Sequence, residues 1–366
     1  MPPLTVMVKP VSMRCNMACG YCFYSDVAAH RAISDAGVMS FDTLEVLLRR
    51  AFAYAEGELS LMFQGGEPTL VGAAFYEKVL QLEERYARPN LKVSNVIQTN
   101  GLYISPELLD ILERGRFLVG VSCDGPAFIH DPQRPDAAGR PTHGSVVHTL
   151  ELLQSRGIDC NVLCVVTRES ASHAHEIFEH LAPYGYLQFI PCMEPLDGAS
   201  DSALSAHEWG RFLCELFDLY FAAWLNGKPV SVRLFDNYVS MIGGLPPESC
   251  AMCGQCQPSY VVEADGSVYP CDFYCTDEYK LGNVLRSGFY ALAKSPAAGR
   301  FRAQSVHVPE QCRACKWRPL CRNGCRRERG ALGGGAYGLW RWCESSAMLF
   351  EHAYARMKRM SSALIR

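Results

Sequence analysis

The chain has 366 residues, of which 49% are hydrophobic and 20% charged, and its net charge is −3. These values are typical of a globular protein with one large domain and a smaller one, and they exclude a strongly basic surface for nucleic acid. No apolar run reaches the roughly 18 residues of a membrane helix, and the N-terminus lacks the features of a signal peptide. We therefore expect a cytoplasmic protein with no nucleic-acid or membrane partner.

Residues 1–230 alternate between short apolar runs and amphipathic stretches. Strands are predicted at 4–11, 59–66, 93–101, 117–125, 160–167 and 186–192. Helices are predicted near 41–57, 72–87, 105–115, 143–156, 173–184 and 205–226. Repeated strand–helix units favour a parallel sheet with right-handed crossovers. Because six units are too few for a closed eight-stranded barrel, the predicted fold class is α/β, a partial (β/α)6 TIM-like barrel.

Polar, glycine-containing or cysteine-containing segments follow the first four predicted strands. They are the loop CNMACGYC (15–22), GGEP (65–68), QTNG (98–101) and SCDGP (122–126). Ligands bind at the carboxyl ends of parallel strands, so these segments are expected to meet at one site. Each segment alone could equally be an ordinary turn.

The pattern changes near residue 231 to cysteine-rich loops with short strands. VVEADGSVY (261–269) is typical of a hairpin around Asp265 and Gly266. Residues 344–366 have helical spacing. The predicted domains are thus the barrel (1–230), a cysteine-rich domain (231–343) and a C-terminal helix (344–366).

Three of the 18 cysteines, Cys15, Cys19 and Cys22, lie in one C-x3-C-x2-C loop. A [4Fe–4S] cluster normally takes four thiolates, so three would leave one iron open to another ligand. Catalytic zinc sites usually include His or Glu, and a structural zinc site needs a fourth ligand, for which His30 is the nearest candidate. Loop thiols without a metal are a further alternative.

Ten more cysteines lie between residues 250 and 343: Cys250, Cys253, Cys256, Cys271, Cys275, Cys312, Cys315, Cys321, Cys325 and Cys343. So many thiols with almost no histidine favour two all-thiolate iron–sulfur clusters over a zinc ribbon. The basic segment 316–330 would then compensate cluster charge rather than bind nucleic acid. The five remaining cysteines mostly lie in apolar runs, which indicates buried structural thiols: Cys123, Cys160, Cys164, Cys192 and Cys214.

The cysteine loop, with Tyr21 before its last cysteine, and the GGEP segment resemble the radical S-adenosylmethionine (radical SAM) enzymes. The resemblance implies that SAM chelates the open iron and is cleaved reductively to a 5′-deoxyadenosyl radical. It also implies SAM contacts from five residues. Tyr21 would contact adenine, Gly66 the methionine end, Ser122 and Arg134 the ribose and carboxylate, and Met193 the adenosyl portion. A turn serine, a solvated arginine and a core methionine are the structural alternatives.

The C-terminal cysteines resemble the SPASM domain of peptide-modifying radical SAM enzymes, which binds two auxiliary [4Fe–4S] clusters. The resemblance implies three [4Fe–4S] clusters in all. The first auxiliary cluster would take Cys250, Cys256, Cys271 and Cys325, and the second would take Cys312, Cys315, Cys321 and Cys343. Cys253 and Cys275 are additional thiols beside these ligands, and Cys253 could replace either Cys250 or Cys256.

Four segments along the chain resemble the anaerobic sulfatase-maturating enzymes: KPVSMRCNMACGYCFY, FQGGEPTL, LQFIPCMEPL and DGSVYPCDFY. This implies oxidation of Ser or Cys to Cα-formylglycine in an unfolded sulfatase segment of the type C/S-x-P/A-x-R. The general base would be Asp272, otherwise a turn or capping residue, and the electron donor a low-potential flavodoxin or ferredoxin. The alternatives are a SPASM-type peptide modifier that forms a thioether or carbon–carbon crosslink, and a metal-binding module without catalysis.

Overall fold

The computed structural model describes residues 2–198, 200, 202–329 and 338–364. The chain forms two compact units, each assembled from separate segments. The first contains Met1–Cys123, His130–Asn161 and Pro258–Phe301, and the second contains Asp124–Ile129, Val162–Gln257 and Arg302–Arg366. The domain boundaries predicted above stay a prediction. In the described part of the chain, no helix is both long enough and apolar enough to span a bilayer.

Strands and helices alternate along the first half of the chain. In order they are β1 (Leu4–Val8), α1 (Phe23–Ala29), α2 (Phe41–Tyr54), β2 (Gly57–Phe63), α3 (Ala73–Tyr86), β3 (Leu91–Thr99), α4 (Pro106–Arg114), β4 (Leu118–Ser122), α5 (Ala127–Gln133), α6 (His143–Ser155), β5 (Cys160–Val166), α7 (Ala174–Leu181) and β6 (Tyr186–Pro191). This order agrees with the predicted strand–helix repetition, although all six strands, β1 to β6, end before the predicted strands do.

Short elements and longer helices make up the rest of the described chain. They are α8 (Ala206–Leu225), β7 (Ser231–Val232), α9 (Arg233–Ile242), β8 (Val261–Val262), β9 (Ser267–Tyr269), β10 (Gly282–Asn283), α10 (Phe289–Ala293), α11 (Pro296–Ala303), α12 (Glu310–Arg313), α13 (Arg318–Cys321) and α14 (Cys343–Leu364). The last two residues of the predicted C-terminal helix and Gly330 of the basic segment lie outside the described residues.

The sheet of the first unit runs in the order β10-β9-β8-β1-β2-β3-β4. Strands β1 to β4 are parallel, with Leu4 opposite Leu59 at the start of the β1–β2 register. Strands β8 and β9 are antiparallel around Asp265 and Gly266, which confirms the predicted hairpin. β8 also pairs in parallel with β1, with Val262 opposite Val8. The hairpin therefore extends the parallel sheet by a strand from a distant part of the sequence.

The second unit contains the parallel strands β5, β6 and β7 and the helices α8, α9 and α14. A capping box begins α8, in which Ser205 accepts a hydrogen bond from the Glu208 amide and Glu208 accepts one from the Ser205 amide. Helix α14 packs against α8 and α9, where Phe350 meets Tyr238 with ring centroids 4.8 Å apart. The buried faces of these helices form the core of this unit.

Candidate active site

The loop between β1 and α1 carries Cys15, Cys19 and Cys22. All three are free thiols, and the Cys22 amide donates to the Cys19 carbonyl at 3.2 Å. The Cys15 sulfur accepts hydrogen bonds from the Met17 amide at 3.4 Å and from Asn100 Nδ2 at 3.6 Å. Burial raises the pKa of Cys15 and these two donors lower it. Donors directed at sulfur stabilise a thiolate, which is the form that binds metal.

The donor types of the cysteine loop bear on which metal it fits. Catalytic zinc sites usually include His or Glu and structural zinc sites take four ligands, whereas an iron–sulfur cluster takes thiolates. His30, the candidate fourth zinc ligand, has its Nδ1 2.8 Å from the Asp26 carbonyl oxygen. The thiols therefore fit an iron–sulfur cluster better than zinc.

The GGEP segment lies against the backbone that precedes Cys15. Gly66 has a φ of +52°, and a Cβ at this position would be 2.2 Å from the Arg14 carbonyl oxygen. The Glu67 amide donates to the same carbonyl at 2.8 Å. Only glycine allows this close approach, because any side chain at residue 66 would overlap the Arg14 carbonyl beside the cysteine loop.

The buried Glu67 carboxylate connects this segment to the end of β3. It accepts hydrogen bonds from the Asn100 amide at 2.7 Å, from Thr99 Oγ1 at 2.8 Å, and from both the amide and the hydroxyl of Thr69. Burial raises the pKa of Glu67 and these donors lower it. Asn100 also donates a hydrogen bond to the Cys15 sulfur. The GGEP segment, the QTNG segment and the cysteine loop are therefore connected through Glu67 and Asn100.

The predicted SAM contacts are placed in both units. In the first, Arg134 Nη1 donates to the Tyr21 hydroxyl at 2.8 Å, which brings two of these residues together. Ser122 ends β4 and accepts a hydrogen bond from Gln98 at 3.2 Å. Met193 belongs to the second unit, two residues after β6. The roles of these residues stay predictions.

Asp272 is held by residues from the N-terminal end of the chain. Lys9 Nζ lies 2.9 Å from Asp272 Oδ1, and the Tyr24 hydroxyl donates to Oδ2 at 2.6 Å. Gln64 Nε2 donates to the Tyr24 oxygen at 2.7 Å. The Asp272 residue is only 9% exposed, so these contacts fix the orientation of its carboxylate oxygens. A carboxylate held in this way can accept a proton from a bound group.

Lys9 lies within a buried group of charges behind Asp272. The Lys9 ammonium lies 3.9 Å from the Glu263 carboxylate and donates to the Cys275 sulfur at 3.6 Å. Glu263 also forms an ion pair with Arg31 at 2.6 Å. Burial alone would lower the pKa of Lys9, but the adjacent Asp272, Cys275 and Glu263 raise it above its ordinary value. Burial raises the pKa of Cys275 to about 12. Two cations therefore balance two carboxylates around a protonated thiol.

Four thiols of the second unit line one cavity of about 50 Å³, together with Arg318, Asn323 and Trp340. They are the four predicted ligands of the second auxiliary cluster: Cys312, Cys315, Cys321 and Cys343. We call them the second thiol group. Four thiolates are the ligand set that a [4Fe–4S] cluster normally takes, so this donor set fits an all-thiolate iron–sulfur site.

Three more thiols of the second unit lie near one another: Cys250, Cys256 and Cys325. Burial raises the pKa of Cys325, and the nearby thiols of Cys250 and Cys256 raise it further. We call these three the first thiol group. Cys271, predicted to share their cluster, belongs to the first unit.

The two additional thiols lie in different surroundings. Cys253 is exposed and near Cys250, whereas Cys275 is fully buried against Lys9. Of the five scattered cysteines, Cys123, Cys164 and Cys192 are buried, while Cys160 and Cys214 are partly exposed.

Sequence reasoning did not single out four side chains of this site, Lys9, Tyr24, Gln64 and Asn100, although Asn100 lies in the predicted QTNG segment. Lys9, Gln64 and Asn100 each come directly after a parallel strand. Polar residues at that position were available as a signal, since ligand sites form at strand carboxyl ends. Tyr24 lies in α1, a helix that was not predicted.

Comparison with known proteins agrees with this geometry. Residues 10–181 match the Radical SAM superfamily, and residues 249–316 match the SPASM iron–sulfur cluster-binding domain. The fold and the cysteine loop thus define a radical SAM enzyme with a SPASM domain, which confirms the predicted fold class. SAM and iron–sulfur clusters are the cofactors that these domains imply.

Relatives along the whole chain are more specific. A cysteine-type anaerobic sulfatase-maturating enzyme of Clostridium perfringens is 39% identical over 98% of each chain. A serine-type enzyme of Bacteroides thetaiotaomicron is 30% identical over 99% of this chain and 92% of its own. A solved structure of anSMEcpe with bound AdoMet and Cp18Cys peptide matches with a TM-score of 0.94 at 38% identity, over 99% of this chain and all of that one. The chain belongs to the anaerobic sulfatase-maturating enzymes.

Proposed function

We propose that this enzyme oxidises the side chain of a Cys or Ser residue in an unfolded sulfatase segment to Cα-formylglycine. The buried Asp272 carboxylate, held by Lys9 and Tyr24 in the same unit as the cysteine loop, carries the proposal. The higher identity to cysteine-type than to serine-type relatives supports Cys as the substrate residue. The peptide bound in the solved anSMEcpe structure supports a peptide as the substrate.

The cofactors are bound by the strand-end segments of the barrel. Cys15, Cys19 and Cys22 would hold one cluster, and Tyr21, Gly66, Ser122, Arg134 and Met193 would hold SAM. Bound and reduced there, SAM would supply the removal of one hydrogen atom from the substrate Cβ.

Asp272 performs the proton transfer that the oxidation requires. The thiol or hydroxyl proton of the substrate goes to the Asp272 carboxylate, and an iron–sulfur cluster held by thiols of the chain would accept the one electron that leaves the substrate. Together with the hydrogen atom already taken from Cβ, this completes a two-electron oxidation to a thioaldehyde or an aldehyde. Water then converts the thioaldehyde to the aldehyde and releases hydrogen sulfide. Lys9 and Tyr24 keep both carboxylate oxygens oriented while the proton moves.

Together with the cluster of the cysteine loop, two auxiliary [4Fe–4S] clusters would give the enzyme three clusters in all. The second thiol group supplies four ligands to one of them, and the first thiol group supplies ligands to the other. A low-potential flavodoxin or ferredoxin supplies the electron that starts each cycle.

The test is an aldehyde assay with the anaerobically reconstituted enzyme, SAM and dithionite. Paired peptides of the types C-x-P-x-R and S-x-P-x-R are analysed by mass spectrometry before and after trapping with a hydrazide. We expect aldehyde on the Cys peptide from the wild type and none from Asp272→Asn, which still forms 5′-deoxyadenosine. Glu278→Gln is the matched control because Glu278 is an exposed acid six residues away.

The alternatives give different products in the same assay. A crosslinking enzyme would form 5′-deoxyadenosine and a peptide two hydrogens lighter that no hydrazide traps. A binding module would form no 5′-deoxyadenosine at all. Aldehyde formation by Asp272→Asn at the wild-type rate would overturn the assignment of the base.

A further inference from the structure

Glu263 is a buried carboxylate that the proposed reaction does not use. It directly follows β8, and its backbone is fixed in the hairpin, where the Glu263 amide donates to the Ser267 carbonyl at 2.9 Å. The residue is 1% exposed. Because a carboxylate is almost never fully buried unless it is paired, the neighbours of Glu263 indicate its role.

The register of the sheet brings Glu263 next to Lys9. Val8 and Val262 are partners in the parallel pair of β1 and β8, and Lys9 and Glu263 are the residues that follow them. The Lys9 amide donates to the Val262 carbonyl at 2.9 Å. The two backbones are therefore tied together, and the Lys9 ammonium lies 3.9 Å from Glu263 Oε1.

The two carboxylate oxygens of Glu263 have different surroundings. Oε1 forms the ion pair with Arg31 Nη1 at 2.6 Å. Oε2 is buried and has no hydrogen-bond partner in the described part of the chain. A buried oxygen without a partner costs free energy. This carboxylate can therefore accept a second cation without releasing Arg31.

The Lys9 ammonium has four neighbours, all of them in the first unit. They are the Asp272 carboxylate at 2.9 Å, the Cys275 sulfur at 3.6 Å, the Glu263 carboxylate at 3.9 Å and the centre of the Tyr24 ring at 4.6 Å. A thiol is a weak acceptor, and a tyrosine ring carries no net charge. Of these four, only Asp272 and Glu263 can neutralise the ammonium.

Proton transfer from the substrate changes this balance. When Asp272 accepts a proton it loses its charge, and the Lys9 ammonium loses its closest counter-ion. A buried cation without a counter-ion is costly in free energy. The recess that Lys9, Tyr24, Arg31 and Glu263 line is too small to admit a water molecule, so water does not replace the lost charge.

We propose that Glu263 is a positioning residue that pairs with the Lys9 ammonium when Asp272 becomes protonated. The proposal rests on the proposed function, because it requires Asp272 to accept the substrate proton. A movement of the ammonium by about 1 Å shortens its separation from Glu263 to hydrogen-bond distance. Lys9 keeps its three protons, and the substrate proton stays on Asp272. The new ion pair stabilises the protonated base and so favours proton transfer over its reversal.

The first experiment measures the position of Lys9 when residue 272 carries no charge. Asp272→Asn reproduces the shape and the charge of the protonated base, and an anaerobic crystal structure of the reconstituted variant gives the separation of Lys9 Nζ from Glu263. We expect this separation to be near 2.9 Å in the variant, against 3.9 Å with an ionised Asp272. A separation that stays near 3.9 Å in Asp272→Asn would overturn the proposal.

The second experiment measures aldehyde formed per 5′-deoxyadenosine in a single turnover of the reconstituted enzyme. Glu263→Gln removes the charge that Lys9 would pair with, so we expect this ratio to fall about 10-fold. Arg31→Met breaks the other ion pair of Glu263 and lowers stability, but it leaves the carboxylate to Lys9, so its ratio should stay near wild type. Glu278→Gln changes an exposed acid and is the control.

Two results of the second experiment would overturn the proposal while the proposed function stands. The first is a wild-type ratio in Glu263→Gln. The second is an equal fall in Glu263→Gln and Arg31→Met, which would show that Glu263 acts only through its pair with Arg31. If Glu263→Gln does not fold, the Lys9 position in Asp272→Asn decides. Absence of aldehyde from the wild type would instead overturn the proposed function.

Discussion

The Lys9 ammonium lies 2.9 Å from Asp272 Oδ1, and both side chains are almost completely buried. Lys9 directly follows β1, and Asp272 lies three residues after β9. Because β1 and β8 are paired and β8 forms a hairpin with β9, the contact is built on one sheet. The proposed base thus has its partner cation fixed by backbone hydrogen bonds rather than by flexible loops.

We expect Lys9→Met to destabilise the folded enzyme strongly. Removing one partner of a buried ion pair costs about 3 kcal/mol because the remaining carboxylate stays buried without its cation. Thermal unfolding of the anaerobic enzyme should show a midpoint about 5 °C lower. Lys92→Met, which removes an exposed lysine from β3, is the control and should unfold near the wild-type temperature. Equal midpoints for the two variants would show that the pair contributes little.

We expect Tyr24→Phe to slow aldehyde formation about 10-fold, which corresponds to roughly 1.4 kcal/mol. The substitution removes the donor to Asp272 Oδ2 and leaves the Gln64 amide without its acceptor. The single-turnover rate of aldehyde formation measures the effect. Tyr103→Phe removes a hydroxyl from a residue that is 65% exposed and should not change the rate. A wild-type rate in Tyr24→Phe would mean that Lys9 alone orients the carboxylate.

We expect Gly66→Ala to prevent correct formation of the cysteine loop, since the new Cβ would overlap the Arg14 carbonyl. Gly37→Ala is a matched control because Gly37 also has a positive φ but has nothing within 4 Å of the Cβ position. The control measures backbone strain alone, about 1 kcal/mol. SAM binding by equilibrium dialysis and iron content per chain should fall in Gly66→Ala only. Normal SAM binding by this variant would contradict the close packing of the two segments.

We expect Glu83→Gln to stabilise the enzyme at neutral and alkaline pH. Burial raises the pKa of Glu83 to about 7, and only the Asn95 amide, which donates at 3.1 Å, opposes the shift. A folded-state pKa above the unfolded one means that stability is greatest at low pH and falls as pH rises from about 4.5 to 7. The gain in Glu83→Gln should therefore be near zero at pH 4.5 and about 3 kcal/mol at pH 8.

Urea unfolding of the wild type and of Glu83→Gln from pH 4.5 to 8 measures this dependence. Glu84→Gln alters the adjacent exposed carboxylate and is the control. A gain that does not vary with pH would show that the ionisation of Glu83 is not its cause.

The strand–helix order and the cysteine loop could be predicted from the sequence because both are local patterns. Apolar runs mark β1 to β6, and the spacing of Cys15, Cys19 and Cys22 is contained in eight residues. The polar environment of Asp272 could not be predicted in this way. Its partners Lys9 and Tyr24 lie about 250 residues earlier, and no local period encodes which distant residues will meet.

The burial of Arg329 is a second feature that could not be predicted from the sequence. The basic composition of 316–330 was visible, but composition does not distinguish an exposed arginine from a buried one. Burial of Arg329 depends on carbonyls that the loops at Ser305, Asn323 and Gly324 direct at one point. Such convergence is a property of the tertiary structure.

The pairing of β8 with β1 has a consequence for biosynthesis. Val8 leaves the ribosome about 250 residues before its partner Val262, which at 5 to 20 residues per second is a delay of about 10 to 50 s. During that interval one edge of β1 has no neighbouring strand, and an unpaired strand edge is a template for association between chains. The edge of β1 is therefore covered only after the segment that carries β8 has been synthesised, so one side of the parallel sheet is completed late in translation.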